Sequence, residues 1–514
     1  MAEPATATRR TAAVDRMLAG IERVGNRLPN PVILFLALLA LLAVVSTMLE
    51  LFGVTVTVPG TDKPTAVKGL LSSDGAVWLL QNMVKNFAEF PPIAAVLVMM
   101  MAVGLAERTG LLETLMRGTL ARAPRWLLPY AVAIVACQAH MMSDVAAIVL
   151  PPLAAMVFKS AGRHPVAGLI GGFACVGAGY AAGFTVGSLD ALYIGITQKS
   201  AAILPQTANL PLHLLVNYFF TGASSIALGL LGGLIISRVL EPRLGEYDGS
   251  GAGDAAEPVG LRPEQRRGLR RAGLVVGAYA AVVLAAWLLP GGPLRGEGGA
   301  LVPSPLLSGV VPLLFAGFVL GGITYGTTVR SLTSGEQAVT IMSDSVKNMA
   351  PYVVMMFAAA QVIAVFNWSN VGILLAVKSA ELLQGLGLTG FGALVMLIVL
   401  TSMLNLFIVS GSALWSLIGP VFVPAFALLG LHPAVTQAAF RIGDSATGII
   451  TPMNPYLFLL LAMVRAYEPD VKLGTLMARL AVFVPPFLVV WTAILGAFYA
   501  LGLPLGPGAG ITLP

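Results

Sequence analysis

The chain has 514 residues, 57% hydrophobic and 11% charged, with a mean hydropathy of +0.87. Soluble domains carry about 25% charged residues, so an ordinary water-soluble protein is excluded. The net charge of +6 is gathered on no polar domain, which argues against nucleic-acid binding. Cys137 and Cys175 both lie in apolar runs and imply no disulfide framework, and the four histidines lack paired metal-ligand spacing. The composition is that of a polytopic α-helical protein whose solvent is the lipid bilayer.

In chain order, the first predicted span is Pro31 to Leu51, behind a polar lead with Arg9, Arg10, Arg16, Arg23 and Arg27. The positive-inside rule places residues 1–30 in the cytoplasm, and the absence of an A-x-A site argues against a cleaved leader. A span from Pro91 to Ala106 ends at the arginine-bearing stretch Glu107 to Arg125. The apolar segment 126–160 is interrupted at Gln138–Asp144 and has basic residues at both ends. Two spans or one re-entrant hairpin fit this pattern; arms well short of the about 20 residues a crossing needs favour the hairpin.

Next come a long segment from Pro165 to Ile196, broken by Gly183, Gly187 and Asp190, and a span from Leu210 to Ile236. The charged, Gly- and Ser-containing stretch 241–271 reads as a flexible cytoplasmic linker between halves 31–240 and 272–514. The second half is predicted to hold spans Ala272–Leu289, Pro305–Tyr325 and Pro351–Phe366, then an outer amphipathic helix Val371–Leu383. A second interrupted segment, 388–429, carries Asn405, Ser410, Gly411 and Ser412. Pro433 to Val464, broken near Thr451–Pro455, and Leu480 to Leu501 complete nine spans and two hairpins, with the C-terminus outside.

Self-similarity sharpens this picture. Val84-Lys85-Asn86 recurs as Val346-Lys347-Asn348, and at the same spacing Gly110-Leu111-Leu112 becomes Gly372-Ile373-Leu374. After a small slip Pro152 maps to Pro420 and His164-Pro165 to His432-Pro433. The first Val-Lys-Asn falls outside and the second inside, so the repeat is inverted. Inverted repeats with broken helices and hairpins are the construction of secondary transporters, because non-helical backbone at membrane depth must line a polar cavity or be buried in protein.

Charged residues within spans cost roughly 2.5–3.5 kcal/mol each and are functional candidates. Arg441 and Asp444, three apart in Phe440-Arg441-Ile442-Gly443-Asp444-Ser445, precede the second break. Two readings stand: an ion pair between them, or a guanidinium clamp for a substrate carboxylate that leaves Asp444 to exchange a proton. Asp190 is the counterpart acid of the first half, or a cap of its half-helix. Ser143-Asp144 and Ser412 mark the two hairpin tips at matching distances before Pro152 and Pro420. Trp415 is either a packing residue or a stacking surface for an aromatic ligand, while Asn405 and Asn454 offer amides. Asp190, Asp444, Ser143, Asp144, Asn405 and Asn454 are the candidates for coupling H+ or Na+; a sodium site at the hairpin tips is the one metal position entertained. His140, His164 and His432 read as structural, the latter two capping helices before proline.

Together these motifs resemble the AbgT family, the p-aminobenzoyl-glutamate transporters. The resemblance rests on Ile21-Glu22-Arg23-Val24-Gly25-Asn26-Arg27-Leu28-Pro29, Asn82-Met83-Val84-Lys85-Asn86-Phe87, Gly162-Arg163-His164-Pro165 and Gly187-Ser188-Leu189-Asp190. It continues through Ser410-Gly411-Ser412-Ala413-Leu414-Trp415, Arg441-Ile442-Gly443-Asp444-Ser445 and Thr451-Pro452-Met453-Asn454-Pro455-Tyr456. It implies a homodimer in the bacterial inner membrane with no cofactor. It also implies transport of p-aminobenzoyl-glutamate or p-aminobenzoate, or sulfonamide efflux, driven by a proton or sodium gradient. Substrate-path positions carried over by the resemblance are Asp190, Ser412, Trp415, Arg441, Asp444 and the break proline Pro452. The first tip departs from the family pattern in reading His140-Met141-Met142-Ser143-Asp144. Two other readings remain: a sodium/dicarboxylate symporter, which would have no use for Trp415, and an intramembrane hydrolase using Ser412 or Asp444, which leaves the inverted repeat unexplained.

Overall fold

The computed structural model describes residues 31–57, 64–245, 260–451 and 453–513, without the side chains of Pro92, Ser143 and Asp144. The N-terminal segment 1–30, most of the charged linker and Pro452 therefore lie outside the described residues. Among those described, eight helices are long and apolar enough to cross a membrane, and five shorter apolar helices accompany them. Seven of the eight coincide with predicted spans, and the eighth is Gly411–Leu428 in the second hairpin segment. The two remaining predicted spans are each a pair of short helices, Pro165–Ala178 with Ser188–Ala201 and Pro433–Thr447 with Pro455–Arg465.

Local chemistry sets these boundaries. Proline occupies the first turn of the helices starting at Pro91, Pro165, Pro263, Pro433 and Pro455, where its missing N–H costs nothing and its φ is already helical. Ser410 caps the helix 411–428 by accepting from Ala413 N, and Asn454 caps 455–465 by accepting from Tyr456 N. His432 does cap its helix: Nδ1 accepts from Ala434 N at 3.1 Å, and burial holds the ring pKa down at about 4. His164, in contrast to its expected role, makes no capping bond.

Some boundaries move. The helix expected from Ala272 begins at Pro263, so Arg266, Arg267, Arg270 and Arg271 ride on its first turns and not in the linker. The span expected from Leu210 starts at Tyr218 and continues through a π-helical turn, Ile236–Leu240, to Leu244. The first break is residues 179–187, which leaves Asp190 inside the half-helix that follows it.

Side-chain contacts bring the two ends of 126–160 together, as a hairpin requires. Arg163 Nη1 donates to Arg125 O at 2.8 Å and Arg125 Nη2 to Gly162 O at 3.1 Å, so the segment enters and leaves at one place. Its arms, 128–138 and 146–160, are joined by a 3-10 turn at 139–145. In the second segment, Phe391 packs on Tyr499 at the C-terminal end of Val484–Leu501. At the other end of that segment, Gly430 O accepts from Leu513 N just beyond the same helix. Both ends of 391–428 thus lie beside the chain's C-terminus. Packing is tightest where glycines face other helices: a Cβ at Gly168 would meet Ala154, and one at Gly233 would overlap Tyr130.

The contacts sort the connecting segments onto two faces. One carries Gly118 against Leu261 and Leu269, and the Arg163–Glu241 ion pair. The other carries Leu204, Ala427 and Leu513 in one apolar cluster, with Lys68 N bonded to Ser369 O nearby. Gly268 is buried against Tyr325 and Val329, so exposed Arg267 and Thr512 are the better reporters of orientation. Arg267→Cys and Thr512→Cys should react with a membrane-impermeant maleimide from opposite sides of sealed vesicles. Native Cys137 and Cys175 are buried and give little background. Labelling of both from one side would overturn the inferred path of the chain.

Candidate functional site

The two broken helices supply one polar face each, and these faces meet. On Ser188–Ala201, Asp190, Tyr193 and Thr197 follow the spacing of successive helical turns. On Pro433–Thr447, every residue of which is buried, Gln437, Arg441 and Asp444 do the same. Arg441 Nη2 lies 2.8 Å from Asp190 Oδ1, and its guanidinium sits 5.0 Å over the Tyr193 ring. Tyr193 OH donates to Asp444 Oδ2 at 2.6 Å, and Gln437 Nε2 donates to Thr197 Oγ1 at 2.7 Å. Gln437 Oε1 in turn accepts from Asn217 Nδ2 at 2.6 Å, with Arg441 at 3.4 Å. Arg441 and Asp190 are 2% and 9% exposed, deep enough for removal of either charge to leave the other uncompensated.

Arg441 and Asp444 share a helix face as expected, but they are not partners. The guanidinium is taken by Asp190 of the opposite repeat and the carboxylate by Tyr193. Asp190 also does what the capping reading required, since its Oδ2 accepts from Gly187 N at 2.9 Å. Asp444 Oδ1 is buried and has no hydrogen-bond partner. Gly411 opens the second hairpin arm directly beside this carboxylate; a Cβ there would overlap both Asp444 Oδ2 and Tyr193 OH.

The hairpin tips close on the breaks. Asn405 Nδ2 donates to the Asp444 carbonyl oxygen and to Thr447 Oγ1, and Thr451 Oγ1 donates to Leu406 O at 2.7 Å. Ser412 shares a hydrogen bond of 2.9 Å with Ser410. Asn454 is spent within its own break, donating to Gly448 O and capping the next half-helix. Ser143 and Asp144 belong to the 3-10 turn at the first tip; their side chains, like Pro452, are outside the description.

Trp415 is fully buried. Its ring packs on Phe440 at 4.4 Å, and its Nε1 donates to Thr197 Oγ1 at 3.1 Å and Tyr193 O at 3.3 Å. In this state the indole fastens the second hairpin to the first broken helix and presents no open face to a ligand.

Sequence reasoning passed over Tyr193, Thr197, Gln437, Asn217 and His140. The first three carried a signal, polar residues at helical spacing within otherwise apolar half-helices. His140 read as structural, yet it reaches from the first tip into the first break. Its Nδ1 is 3.1 Å from Cys137 O, its Nε2 is 2.9 Å from Thr185 O, and Nε2 is 3.9 Å from Asp190 Oδ2. Carbonyl oxygens only accept, so each contact is a hydrogen bond where that ring nitrogen is the donor. A Cβ at Gly183 would overlap the His140 ring, which explains the glycine at that point of the break.

If the Arg441–Asp190 pair is a coupled unit, Asp190→Asn and Arg441→Gln should each destabilise the detergent-solubilised protein, by about 3–5 kcal/mol on the scale of buried pairs. The double variant should then recover much of the loss, because neither charge is stranded. Thermal unfolding of the four proteins reads this cycle; strictly additive losses would show that the two charges act independently.

The comparisons with known proteins agree with this architecture. Residues 16–513 match the model of the AbgT transporter family. The p-aminobenzoyl-glutamate transport protein of Escherichia coli is 39% identical over 495 residues, 96% of each chain. The structure of the YdaH transporter of Alcanivorax borkumensis superposes with a TM-score of 0.88 at 36% identity, covering 93% of this chain and all of that one. That of MtrF of Neisseria gonorrhoeae, described as illuminating a class of antimetabolite efflux pumps, gives 0.90 at 38% identity, with coverages of 96% and 100%.

Proposed function

The chain belongs to the AbgT family of membrane transporters, which are not enzymes, and from that premise we propose that it moves p-aminobenzoyl-glutamate and related aromatic carboxylates by coupling them to protons at the Arg441–Asp190 pair. The proposal takes in nine crossings and two hairpins, halves joined at 241–271, a cytoplasmic N-terminus and outer C-terminus in a bacterial inner membrane, and a homodimer. The observation that carries the reading is a guanidinium whose counter-ion comes from the other repeat. A substrate carboxylate reaching Arg441 must compete with Asp190 for it. Release of Asp190 leaves a buried carboxylate without a counter-charge, a state that a proton relieves. Binding of substrate and protonation of Asp190 are therefore linked, each favouring the other.

Asp444 is the second exchanging acid in this scheme. One of its oxygens is held by Tyr193 and the other has no partner, so its carboxyl group can change state without breaking an ion pair. The aromatic half of the substrate reaches Trp415 only when the Phe440 contact opens.

The test is binding of p-aminobenzoyl-glutamate to purified protein across pH. Affinity should rise as pH falls, by up to about tenfold per unit where one proton is taken up, and Asp190→Asn should flatten the dependence. Affinity independent of pH in the parent protein would overturn the coupling. In proteoliposomes, Asp444→Asn should lose accumulation driven by a pH gradient while keeping substrate exchange. Accumulation that follows an imposed sodium gradient instead would move the coupling to the hairpin tips.

A further inference from the structure

A polar cavity lies away from the ion pair. It has a volume of about 420 Å³ and sits where the amphipathic helix Ser73–Ala88 and the last turns of Ala350–Trp368 meet the end of half-helix 188–201. One wall is aromatic: Trp78 and Trp368 stack with centroids 4.9 Å apart and planes 19° from parallel, and Lys68 Nζ lies over the Trp368 ring at 5.7 Å, which leaves the outer face of Trp78 for a guest. Lys85 and Lys199 line the cavity from two different helices, and among the described residues neither makes an ion pair. Glu89 is the acid on the same lining and is not within salt-bridge distance of either. Asn367, also on the lining, has a buried Oδ1 with no hydrogen-bond partner.

Each feature has a bland explanation alone. Lys85 and Lys199 stand in the last turns of their helices, where a cation suits the dipole. Stacked indoles at the end of a span suit the bilayer interface. The bland account does not explain why two ammonium groups, an unsatisfied acceptor and a flat aromatic wall converge on one space large enough for a small organic molecule. Asn82 and Asn86 are already committed, the first to Trp78 O and the second to Gln361, so the groups left for a guest are those two cations and that acceptor.

We propose that this cavity is a second binding site for a planar aromatic carboxylate, which uses Lys85 and Lys199 for its anionic groups, the Trp78 side of the aromatic wall for its ring and Asn367 Oδ1 for an N–H donor. The ligand class rests on the function proposed above; the location does not. The stretch from Asp190 to Lys199 is roughly 14 Å of helix axis, so the cavity is separate from the ion pair yet on the same half-helix. A guest here loads the transporter from the face that carries the C-terminus, and screening salt weakens it because the lysines are partly exposed.

The probe is p-aminobenzoyl-glutamate, titrated calorimetrically into protein in nanodiscs of zwitterionic lipid. Arg441→Ala removes the central site and should leave one weaker, salt-sensitive binding event. Adding Lys85→Gln and Lys199→Gln should abolish that event. Lys85→Gln/Lys199→Gln alone should keep the central event, raise the KM of uptake about tenfold and leave kcat near the parent value. No residual binding in Arg441→Ala, or unchanged KM in the lysine pair variant, overturns the second site and leaves the lysines as helix-end cations. A residual event that phosphatidylglycerol added to the nanodisc displaces completely marks a lipid headgroup site and also overturns it. A central event that survives Arg441→Ala and is untouched by the lysine variants counts against the function proposed for Arg441 and against this cavity alike, whereas loss of one event with the other retained separates the two.

Discussion

A guanidinium buried to 2% exposure inside an apolar bundle is tolerable only with a counter-charge at hand, and here the counter-charge comes from the other half of the molecule. The rest of the core follows from that constraint. Because Asp190 takes Arg441, Asp444 needs another donor, and Tyr193 provides it from the next turn of the Asp190 helix. Tyr193 then lies beneath the guanidinium, and its carbonyl together with Thr197 receives the Trp415 indole. Gly411 has no side chain because the carboxylate and the phenol occupy that space. A single long-range pair thereby fixes both broken helices and the start of one hairpin arm.

Inverted symmetry creates two equivalent junctions between broken helices, and the sequence treats them differently. One joins 188–201 to 433–447 and carries Asp190, Tyr193, Thr197, Gln437, Arg441 and Asp444. The other joins 165–178 to 455–465, whose sequences PVAGLIGGFACVGA and PYLFLLLAMVR contain a single charge, Arg465 in the last turn. Backbone symmetry is retained while the chemistry is concentrated at one junction. Most polar groups of that junction satisfy one another, which is how an interior of low dielectric accommodates them; Asp444 Oδ1 is the exception.

Much of this architecture was legible in the residues. Apolar length found the long helices, and Gly, Pro and polar interruptions found the breaks, because both signals are local. The sites were legible as residue types and less so as pairs. Arg441 and Asp444 are neighbours on a helix, so spacing alone favours their pairing, and the partner that prevails is more than two hundred residues away in sequence. His140 offered no periodic signal, since its partners are carbonyl oxygens exposed by a break in a different helix. Trp415 illustrates the same limit: the residue type suits ligand stacking, but only the position of Phe440 decides whether its face is open.

The C-terminal tail adds a mechanical asymmetry. Leu505 O accepts from Phe219 N and Phe220 N, Leu513 N donates to Gly430 O, and His432 N donates to Ile511 O. His213 Nε2 lies 2.9 Å from Pro507 O. Residues 505–513 thus stitch the entry to the span 218–244, the foot of the second hairpin and the start of the second broken helix to one another, by main-chain bonds and the His213 ring. On the opposite face the corresponding ties include long side chains, such as the bidentate Arg163–Glu241 pair. The face that carries the C-terminus is thus laced across three separate segments by its last residues, while the opposite face relies on ties such as the Arg163–Glu241 pair.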